Sequence, residues 1–321
     1  MPSEKKSAPK ISVVMAVYNA IPFLEEAVES ICNQTFRDFE FLIIDDGSTD
    51  GSRSWLEARA EKDDRLQVFR RESAGLTKSL NFGLKKAQGE LIARMDADDI
   101  SLPDRFEKQV REFDEDPNLV LLGCEVEIVS EDKTALGSRN HPLAHAEIRR
   151  QLLSGAGGAL THPAVMFRTQ AARNAGGFDE SFTTTQDLDL FLRLTDNGDA
   201  RNLPETLLLW RQHKKSVNRT KWKTWSAMKR KAVHNTIQRI GVDQYLQQLF
   251  PDTVSHSFPN SPLALAKRAW SHGRVKEAYR LLCKASQVKG ERRESLENFI
   301  EWTLLSAWRK VRNALRKIFP L

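Results

Sequence analysis

Two aspartates two positions apart follow a short apolar stretch in the first third of the chain. The stretch Leu91–Ala93 leads into Arg-Met-Asp-Ala-Asp-Asp, residues 94–99. If the strand stays extended, the carboxylates of Asp96 and Asp98 point to the same side, because side chains alternate along a strand. Two carboxylates at a strand end suit one Mg²⁺ or Mn²⁺, which keeps its other positions for water and phosphate. Since an isolated D-x-D is usually a solvated loop, this prediction depends on the surrounding elements.

The elements around this pair alternate between strand and helix. Ile11–Val17 and Phe39–Ile44 are predominantly apolar runs, typical of strands buried on both faces, and Val68-Phe69 indicates a third strand. A helix is predicted after the first strand, with its apolar face made by Phe23, Leu24, Ala27, Val28 and Ile31. A second helix is predicted over Leu76–Ala87, and we expect Gly89 to end it.

This order predicts an α/β fold with a mostly parallel central sheet flanked by helices. In such sheets the ligand site lies outside the carboxyl ends of the strands. Five polar side chains fall at those ends, namely Tyr18, Asp45, Asp46, Asp96 and Asp98. Asp45 and Asp46 open a turn-forming run, so a simple turn with a helix cap is the alternative for them.

Three other nucleotide sites fit the sequence poorly. No G-x-G-x-x-G follows the first strand, which disfavours a dinucleotide-binding domain. Residues 75–79, Gly-Leu-Thr-Lys-Ser, lack the glycine that precedes the lysine of a P-loop. A sugar-nucleotide pyrophosphorylase would have a glycine-rich loop with a basic residue after the first strand, where this chain has Tyr-Asn-Ala-Ile-Pro. An acidic metal site for a diphosphate remains.

Several longer segments resemble, in order and spacing, the motifs of glycosyltransferase family 2. These segments are ISVVMAVYNA, FLIIDDGSTDGS, AGLTKSLNFGLKKAQGELIARMDADDISLPDRFEKQ and GGFDESFTTTQDLDLFLRL. The resemblance covers roughly residues 10–215. It implies the type-A nucleotide-sugar transferase fold and an inverting transfer. The chain lacks the Gln-x-x-Arg-Trp motif of processive synthases, which favours transfer of a single sugar.

The resemblance also implies a role for individual residues. Tyr18 and Asp46 would flank the nucleobase, with Asp46 accepting a hydrogen bond from a pyrimidine imide. Asp96 would lie by the ribose and the metal, and Asp98 would bind the metal that bridges the diphosphate. Asp187 falls at the position of the general base, although Gln186 stands where many members have glutamate.

The resemblance further implies that Arg211 and His213 close over the diphosphate. Solvated loop charges are the alternative for this pair. Asp187 has an alternative role as a helix cap, and Asp189 and Asp196 are competing acids nearby. Asp189 would face elsewhere on a helix, because residues two apart do not share a face. His162-Pro163 is equally compatible with a structural turn and an acceptor contact.

Composition and charge divide the chain into segments. We predict a flexible tail at residues 1–10, a catalytic domain at 11–220 and a basic helical module at 221–321. The module contains 20 lysines and arginines against 7 acidic residues. The three cysteines, Cys32, Cys124 and Cys283, form neither a disulfide framework nor a metal-binding spacing, which fits a reducing cytoplasm. No signal peptide or membrane span is expected.

Two helical features are predicted inside the basic module. Residues 261–287 resemble one tetratricopeptide-like hairpin, too short for a solenoid. In residues 300–319 an apolar stripe faces arginines and lysines, a pattern typical of helices in a membrane interface and also of helices packed on a domain. If the helix lies in a membrane interface, the enzyme is expected to attach peripherally to the anionic inner face of the membrane. No nucleic-acid partner is expected, because no recognition motif accompanies the charge.

These observations predict a metal-dependent, inverting glycosyltransferase. Its donor would be a nucleotide-diphosphate sugar, a UDP-sugar by preference, and its acceptor a hydroxyl of a glycan or lipid-linked saccharide. The cofactor would be Mg²⁺ or Mn²⁺. A sugar-1-phosphate nucleotidyltransferase and a non-catalytic saccharide-binding or scaffold protein are the alternatives.

Overall fold

The computed structural model describes residues 8–155, 157–213 and 222–249. These residues form two compact units, and the larger contains residues 8–148, 158–213 and 222–225. Residues 149–155, 157 and 226–249 belong to the smaller unit. The predicted hairpin at 261–287 and the predicted amphipathic helix at 300–319 lie outside the described residues. Among the described helices, none is long and apolar enough to cross a membrane.

Four parallel strands form the first half of the sheet, as the apolar runs predict. They are β1 (Ile11–Val17), β2 (Phe39–Asp45), β3 (Leu66–Arg70) and β4 (Leu91–Asp96). Their order across the sheet is β3-β2-β1-β4, and every neighbouring pair is parallel. In register, Val17 lies beside Asp45 and Ala16 beside Asp96. The carboxyl ends of β1, β2 and β4 therefore meet at one edge.

Helices cover this half of the sheet on both faces. They are α1 (Ile21–Cys32), α2 (Ser52–Ala60) and α3 (Leu76–Lys86). Leu24 and Ile31 of α1 are fully buried in the core that contains Val13 and Met15 of β1. Side chains alternate along β1, so Val14 faces the other way and packs against α3 at Gly83, where a Cβ would lie 2.5 Å from it.

The expectation that Gly89 ends α3 is wrong. The helix stops at Lys86, and Ala87 already has an extended backbone. Gly89 instead lies against β1, where its N–H donates to the Ser12 hydroxyl at 2.8 Å. A Cβ at Gly89 would lie 2.5 Å from the Ser12 backbone nitrogen, so the close approach of the two segments requires glycine.

The second half of the sheet is mixed. It contains β5 (Ile100–Ser101), β6 (Leu119–Val129), β7 (Ala135–Ser138), β8 (Met166–Arg168) and β9 (Asp199–Arg211). Within the described residues the sheet continues β4-β8-β6-β9-β5, with β7 paired to β6. Strand β8 is antiparallel to both neighbours, whereas β6 and β9 are parallel. Strand β5 pairs antiparallel with β9, which brings the end of β9 beside the segment after β4.

The remaining helices complete the two units. They are α4 (Arg105–Glu115), α5 (His145–Leu153), α6 (Thr169–Asn174), α7 (Gln186–Leu194), α8 (Trp222–Ile240) and α9 (Val242–Leu249). In the smaller unit the buried Tyr245 hydroxyl donates to the carbonyl of Leu153 at 3.0 Å. Arg149 Nε donates to Gln248 at 3.1 Å in the same unit.

Candidate active site at the carboxyl edge of the sheet

The loops after β1 and β2 are bonded to one another. Asn19 has a left-handed backbone with φ 51°, and its side-chain oxygen accepts from Thr49 N at 2.8 Å. Asn19 N donates to the Ser48 hydroxyl at 3.0 Å. Tyr18 stands at the end of β1 with 59% of its surface exposed. The structure thus presents an aromatic ring to solvent on a fixed loop.

Asp46 is buried beside these two loops, and its carboxylate binds a third loop, which leads into α3. Its carboxylate accepts from Ala74 N at 3.0 Å, Gly75 N at 2.9 Å and the Ser79 hydroxyl at 2.9 Å. These contacts fix the segment that opens α3, and Asp46 is not a cap of α2. Neighbouring Asp45 is also buried, and accepts from Arg53 Nε at 2.8 Å.

The chain turns immediately after Asp96, so the expectation of an extended strand through Asp98 is wrong. Strand β4 ends at Asp96, and a turn follows at residues 97 and 98. The turn, rather than strand alternation, brings one carboxylate oxygen each of Asp96, Asp98 and Asp99 within 4.8 Å of one another. Three hard oxygen donors at this separation are a ligand set of the kind that Mg²⁺ and Mn²⁺ take.

Asp99 is the buried member of this group, which we term the aspartate cluster (Asp96, Asp98 and Asp99). It is 1% exposed, and its Oδ1 accepts from the backbone N–H of Arg211 at 2.8 Å. Its Oδ2 is buried without a hydrogen-bond partner among the described residues. Burial raises the pKa of Asp99 well above its usual range, and Asp98 and Asp96 add to that effect. An orphaned carboxylate oxygen in a crowded acidic cluster fits a site completed by a cation.

Arg94 supplies a fixed positive charge beside Asp96. Its guanidinium is 1% exposed, and Nη1 lies 2.5 Å from Asp96 Oδ1. Burial raises the pKa of Asp96, whereas Arg94 opposes the rise. The carboxylates of Asp98 and Asp187 add to the rise, which indicates that Asp187 is electrostatically close to Asp96.

His213 joins the cluster from the segment after β9. Its Nε2 lies 2.8 Å from Asp98 Oδ2, and its side chain is 10% exposed. Arg211, at the end of β9, pairs through Nη2 with Glu26 of α1 at 2.6 Å, and its side chain is 3% exposed. Neither residue is a solvated loop charge. In this structure the Arg211 guanidinium is bonded to Glu26, whereas His213 is bonded to the aspartate cluster.

Asp187 and its competitor Asp189 have different surroundings in the first turn of α7. Asp189 is buried, and its Oδ2 accepts from Arg193 Nη2 at 2.6 Å and Nε at 2.9 Å. Asp187 is half-buried and lies two residues after Thr185, whose backbone is left-handed with φ 58°. A non-glycine residue in that region is strained, a feature that clusters at functional sites. Of the two acids, Asp189 is the one whose carboxylate forms an ion pair within its own helix, with Arg193.

His162 begins a single 3₁₀ turn, His162–Ala164, before β8. Its ring contacts Phe178 and Phe191, with centroids 5.9 and 6.1 Å away. Burial lowers its pKa well below the usual range, and the positive charge of Arg94 adds to this. Its Nε2 has no hydrogen-bond partner among the described residues. Of the two alternatives for His162-Pro163, the structure shows a turn, and an acceptor contact stays a prediction.

Sequence reasoning missed four residues that the structure joins to this edge. They are Arg94, Asp99, Phe23 as a contact of His213, and Glu26. The sequence signals for Asp99 and Arg94 are their places inside the segment 94–99, because a charged residue within a buried strand requires a partner. No local pattern marks Glu26, whose partner Arg211 is 185 positions away.

Comparisons with known proteins agree with this fold. Residues 12–174 match the model of "Glycosyl transferase family 2". The chain therefore belongs to glycosyltransferase family 2, and it is an enzyme of the glycosyltransferase class.

Two relatives illustrate the similarity in sequence. The O-antigen biosynthesis glycosyltransferase WbnJ of Escherichia coli is 32% identical over 214 residues, 65% of this chain and 82% of that protein. An uncharacterized glycosyltransferase of Haemophilus influenzae is 29% identical over 252 residues, 74% of this chain and 77% of that protein.

Two solved structures share the fold at lower identity. S. aureus TarS 1-349 in complex with UDP-GlcNAc has a TM-score of 0.62 and 18% identity, with 94% of this chain and 92% of that chain covered. The mannosyltransferase PcManGT from Pyrobaculum calidifontis, in complex with GDP-Man and Mn²⁺, has a TM-score of 0.57 and 19% identity, with 95% and 88% covered.

Proposed function

We propose that this enzyme transfers a sugar from a nucleotide-diphosphate donor, by preference a UDP-sugar, to a hydroxyl of a glycan or lipid-linked saccharide, with inversion at the anomeric carbon. The observation that carries the proposal is the aspartate cluster at the carboxyl edge, with His213 bonded to Asp98 and Asp187 electrostatically close to Asp96. Family membership favours this function over the nucleotidyltransferase and scaffold alternatives.

A divalent cation fits the cluster. Asp98 and Asp96 would bind it, and His213 is a further candidate, because carboxylate and imidazole are both ligands of Mn²⁺. A bound Mg²⁺ or Mn²⁺ would neutralise charge that develops on the departing diphosphate. The buried unpartnered Oδ2 of Asp99 and the repulsion among the three carboxylates support the fit. The Mn²⁺ in the PcManGT structure agrees with this assignment.

Each remaining residue receives a role in the transfer. Asp187 would accept the proton of the attacking hydroxyl, since Asp189 is held by Arg193. Exposed Tyr18 would stack on the nucleobase, and Asp46 would face it. Because Ala74 N, Gly75 N and Ser79 already bond Asp46, base recognition through Asp46 would use its remaining acceptor capacity.

Arg211 and the C-terminal residues extend the proposal beyond the donor. Arg211 would reach the diphosphate only if its ion pair with Glu26 broke. Closure of Arg211 over the diphosphate therefore stays a prediction. Peripheral attachment of a cytoplasmic enzyme to an anionic membrane through residues 300–319 is likewise proposed from sequence. The relative WbnJ, named for O-antigen biosynthesis, supports a surface-glycan acceptor.

A thermal-shift screen tests the donor and the cation together. The protein is heated with UDP, GDP or dTDP, with their sugars, and with or without Mn²⁺. A ligand that binds only the native state raises the melting temperature by mass action. We expect a Mn²⁺-dependent rise with UDP and one UDP-sugar, and no such rise in Asp98→Ala. A rise with GDP instead would change the donor, and no rise with any nucleotide would contradict the function.

A further inference from the structure

The guanidinium of Arg211 is enclosed by side chains of α1. Its Nη2 lies 2.6 Å from Glu26 Oε2, and its central carbon lies 4.8 Å from the ring centroid of Phe23. Nη1 also donates to the carbonyl of Glu131 at 3.4 Å. The arginine side chain of this ion pair is 3% exposed, whereas that of Glu26 is 42% exposed. The contacts therefore hold the buried guanidinium in place, although its carboxylate partner still meets water.

Phe23 connects this ion pair to the candidate metal site. Its ring centroid lies 4.8 Å from that of His213, with the planes tilted by 40°. The same ring therefore contacts the Arg211 cation and the His213 imidazole. Since Nε2 of His213 lies 2.8 Å from Asp98, Phe23 supports the imidazole that reaches the aspartate cluster.

The backbone that leads to His213 is also fixed. Arg211 N donates to the buried Asp99 Oδ1 at 2.8 Å. Gln212 N donates to the carbonyl of Val129 at 2.8 Å. These backbone bonds set where the chain leaves β9, but they do not set the side-chain torsion angles of His213. Its direction must come from its side-chain contacts.

We propose that Glu26, Arg211 and Phe23 form a positioning cluster that orients His213 toward Asp98, so that helix α1 sets the geometry of the metal site. The inference rests on the proposed function, in that it takes Asp98 and His213 as ligands of the cation. It gives Arg211 a positioning role. Groups that orient a metal-ligating histidine typically change metal affinity by roughly 10- to 100-fold when they are removed.

A double-mutant cycle on Mn²⁺ affinity tests the proposal without any turnover. Mn²⁺ is titrated into nucleotide-free full-length protein, and free Mn²⁺ is followed by electron paramagnetic resonance. Glu26→Gln and Phe23→Leu are each made in the wild type and in His213→Ala. We expect each to weaken Mn²⁺ binding roughly tenfold in the wild type, and to have no effect once His213 is absent. Equal losses in both backgrounds, or none in the wild type, would overturn the positioning role.

Lys133→Met is the matched control for Glu26→Gln. Lys133 Nζ also pairs with Glu26, at 2.8 Å, but the Lys133 side chain is 51% exposed. This ion pair involves neither Arg211 nor Phe23. We expect this variant to bind Mn²⁺ like the wild type. A loss equal to that of Glu26→Gln would show that the Lys133 contact of Glu26 suffices for the effect, and would overturn the action of Glu26 through Arg211.

Nuclear magnetic resonance of the metal-free protein tests the orientation of His213 separately from metal binding. The imidazole ¹⁵N signals of His213, assigned by comparison with His213→Ala, report its hydrogen bond to Asp98. We expect Glu26→Gln to shift them toward those of an unbonded ring, and unchanged signals would overturn the positioning cluster. If the wild type fails to bind Mn²⁺ while these signals still shift, the metal assignment fails and the positioning of His213 stands.

Discussion

Arg94 and Asp96 form a buried ion pair at the end of β4, with Nη1 and Oδ1 2.5 Å apart. The arginine side chain is 1% exposed, whereas that of the aspartate is 32% exposed. Among the described residues none of the three guanidinium nitrogens of Arg94 has a hydrogen bond of good geometry, so the contact with Asp96 is an ion pair only. Asp96 is therefore the main compensation for a guanidinium that cannot reach water.

This asymmetry predicts that Asp96→Asn destabilises the metal-free protein far more than Asp98→Asn. The first change leaves a buried cation unpaired, which typically costs about 3–5 kcal/mol. The second removes a carboxylate that is 32% exposed, like that of Asp96, but that is bonded to His213 and not to a buried guanidinium. Urea unfolding in the presence of a chelator measures both variants. Equal midpoints would show that Arg94 does not depend on Asp96.

We expect Asp187→Asn to bind donor like the wild type but to lose at least about 100-fold in transfer, the usual contribution of a general base. Calorimetry measures binding, and release of UDP measures transfer. Asp189→Asn is the control, because its carboxylate pairs with Arg193 within α7. That variant should lower the melting temperature and affect transfer less. Normal turnover in Asp187→Asn would exclude it as the base.

His162 predicts an acid-sensitive contribution to stability. Its pKa is lowered well below that of the unfolded chain, about 6.5, because burial disfavours the charged ring. Below pH 6.5 the unfolded state takes up a proton that the folded state does not. Stability from this residue is thus complete above pH 6.5 and falls by at most about 1.4 kcal/mol per pH unit below it.

His162→Gln is expected to remove this slope. Comparison with the wild type by urea unfolding between pH 5 and 7 isolates it, because Asp96 and Asp99 have raised pKa values and titrate equally in both proteins. Parallel pH profiles for the two proteins would contradict a lowered pKa of His162 in the folded state.

The C-terminal residues give a prediction that depends on sequence alone. Deleting residues 301–321 should weaken sedimentation with anionic liposomes, because the deletion removes five of the segment's basic residues together with its apolar stripe. Neutral liposomes are the control surface. Equal partitioning of the full and shortened chains would favour a helix that packs on the protein.

Local sequence patterns were sufficient to predict the first half of the sheet. Ile11–Val17 is confirmed to the residue, and β2 extends the predicted Phe39–Ile44 by only Asp45. Apolar periodicity decides these elements because each strand is buried on both faces, and parallel order then places Tyr18, Asp46 and Asp96 at one edge.

Only the tertiary structure decided how that edge is assembled. The turn after Asp96 depends on the backbone dihedral angles of residues 97 and 98. It brings the carboxylates of both Asp98 and Asp99 close to that of Asp96, which alternation along a strand would not do. The pairing of Arg211 with Glu26, and the separation of Asp187 from Asp189 by the ion pair with Arg193, depend on contacts between side chains. Hydrophobic periodicity has no information about which polar groups meet across a fold. Those partners are selected by packing and by the cost of burying an unpaired charge.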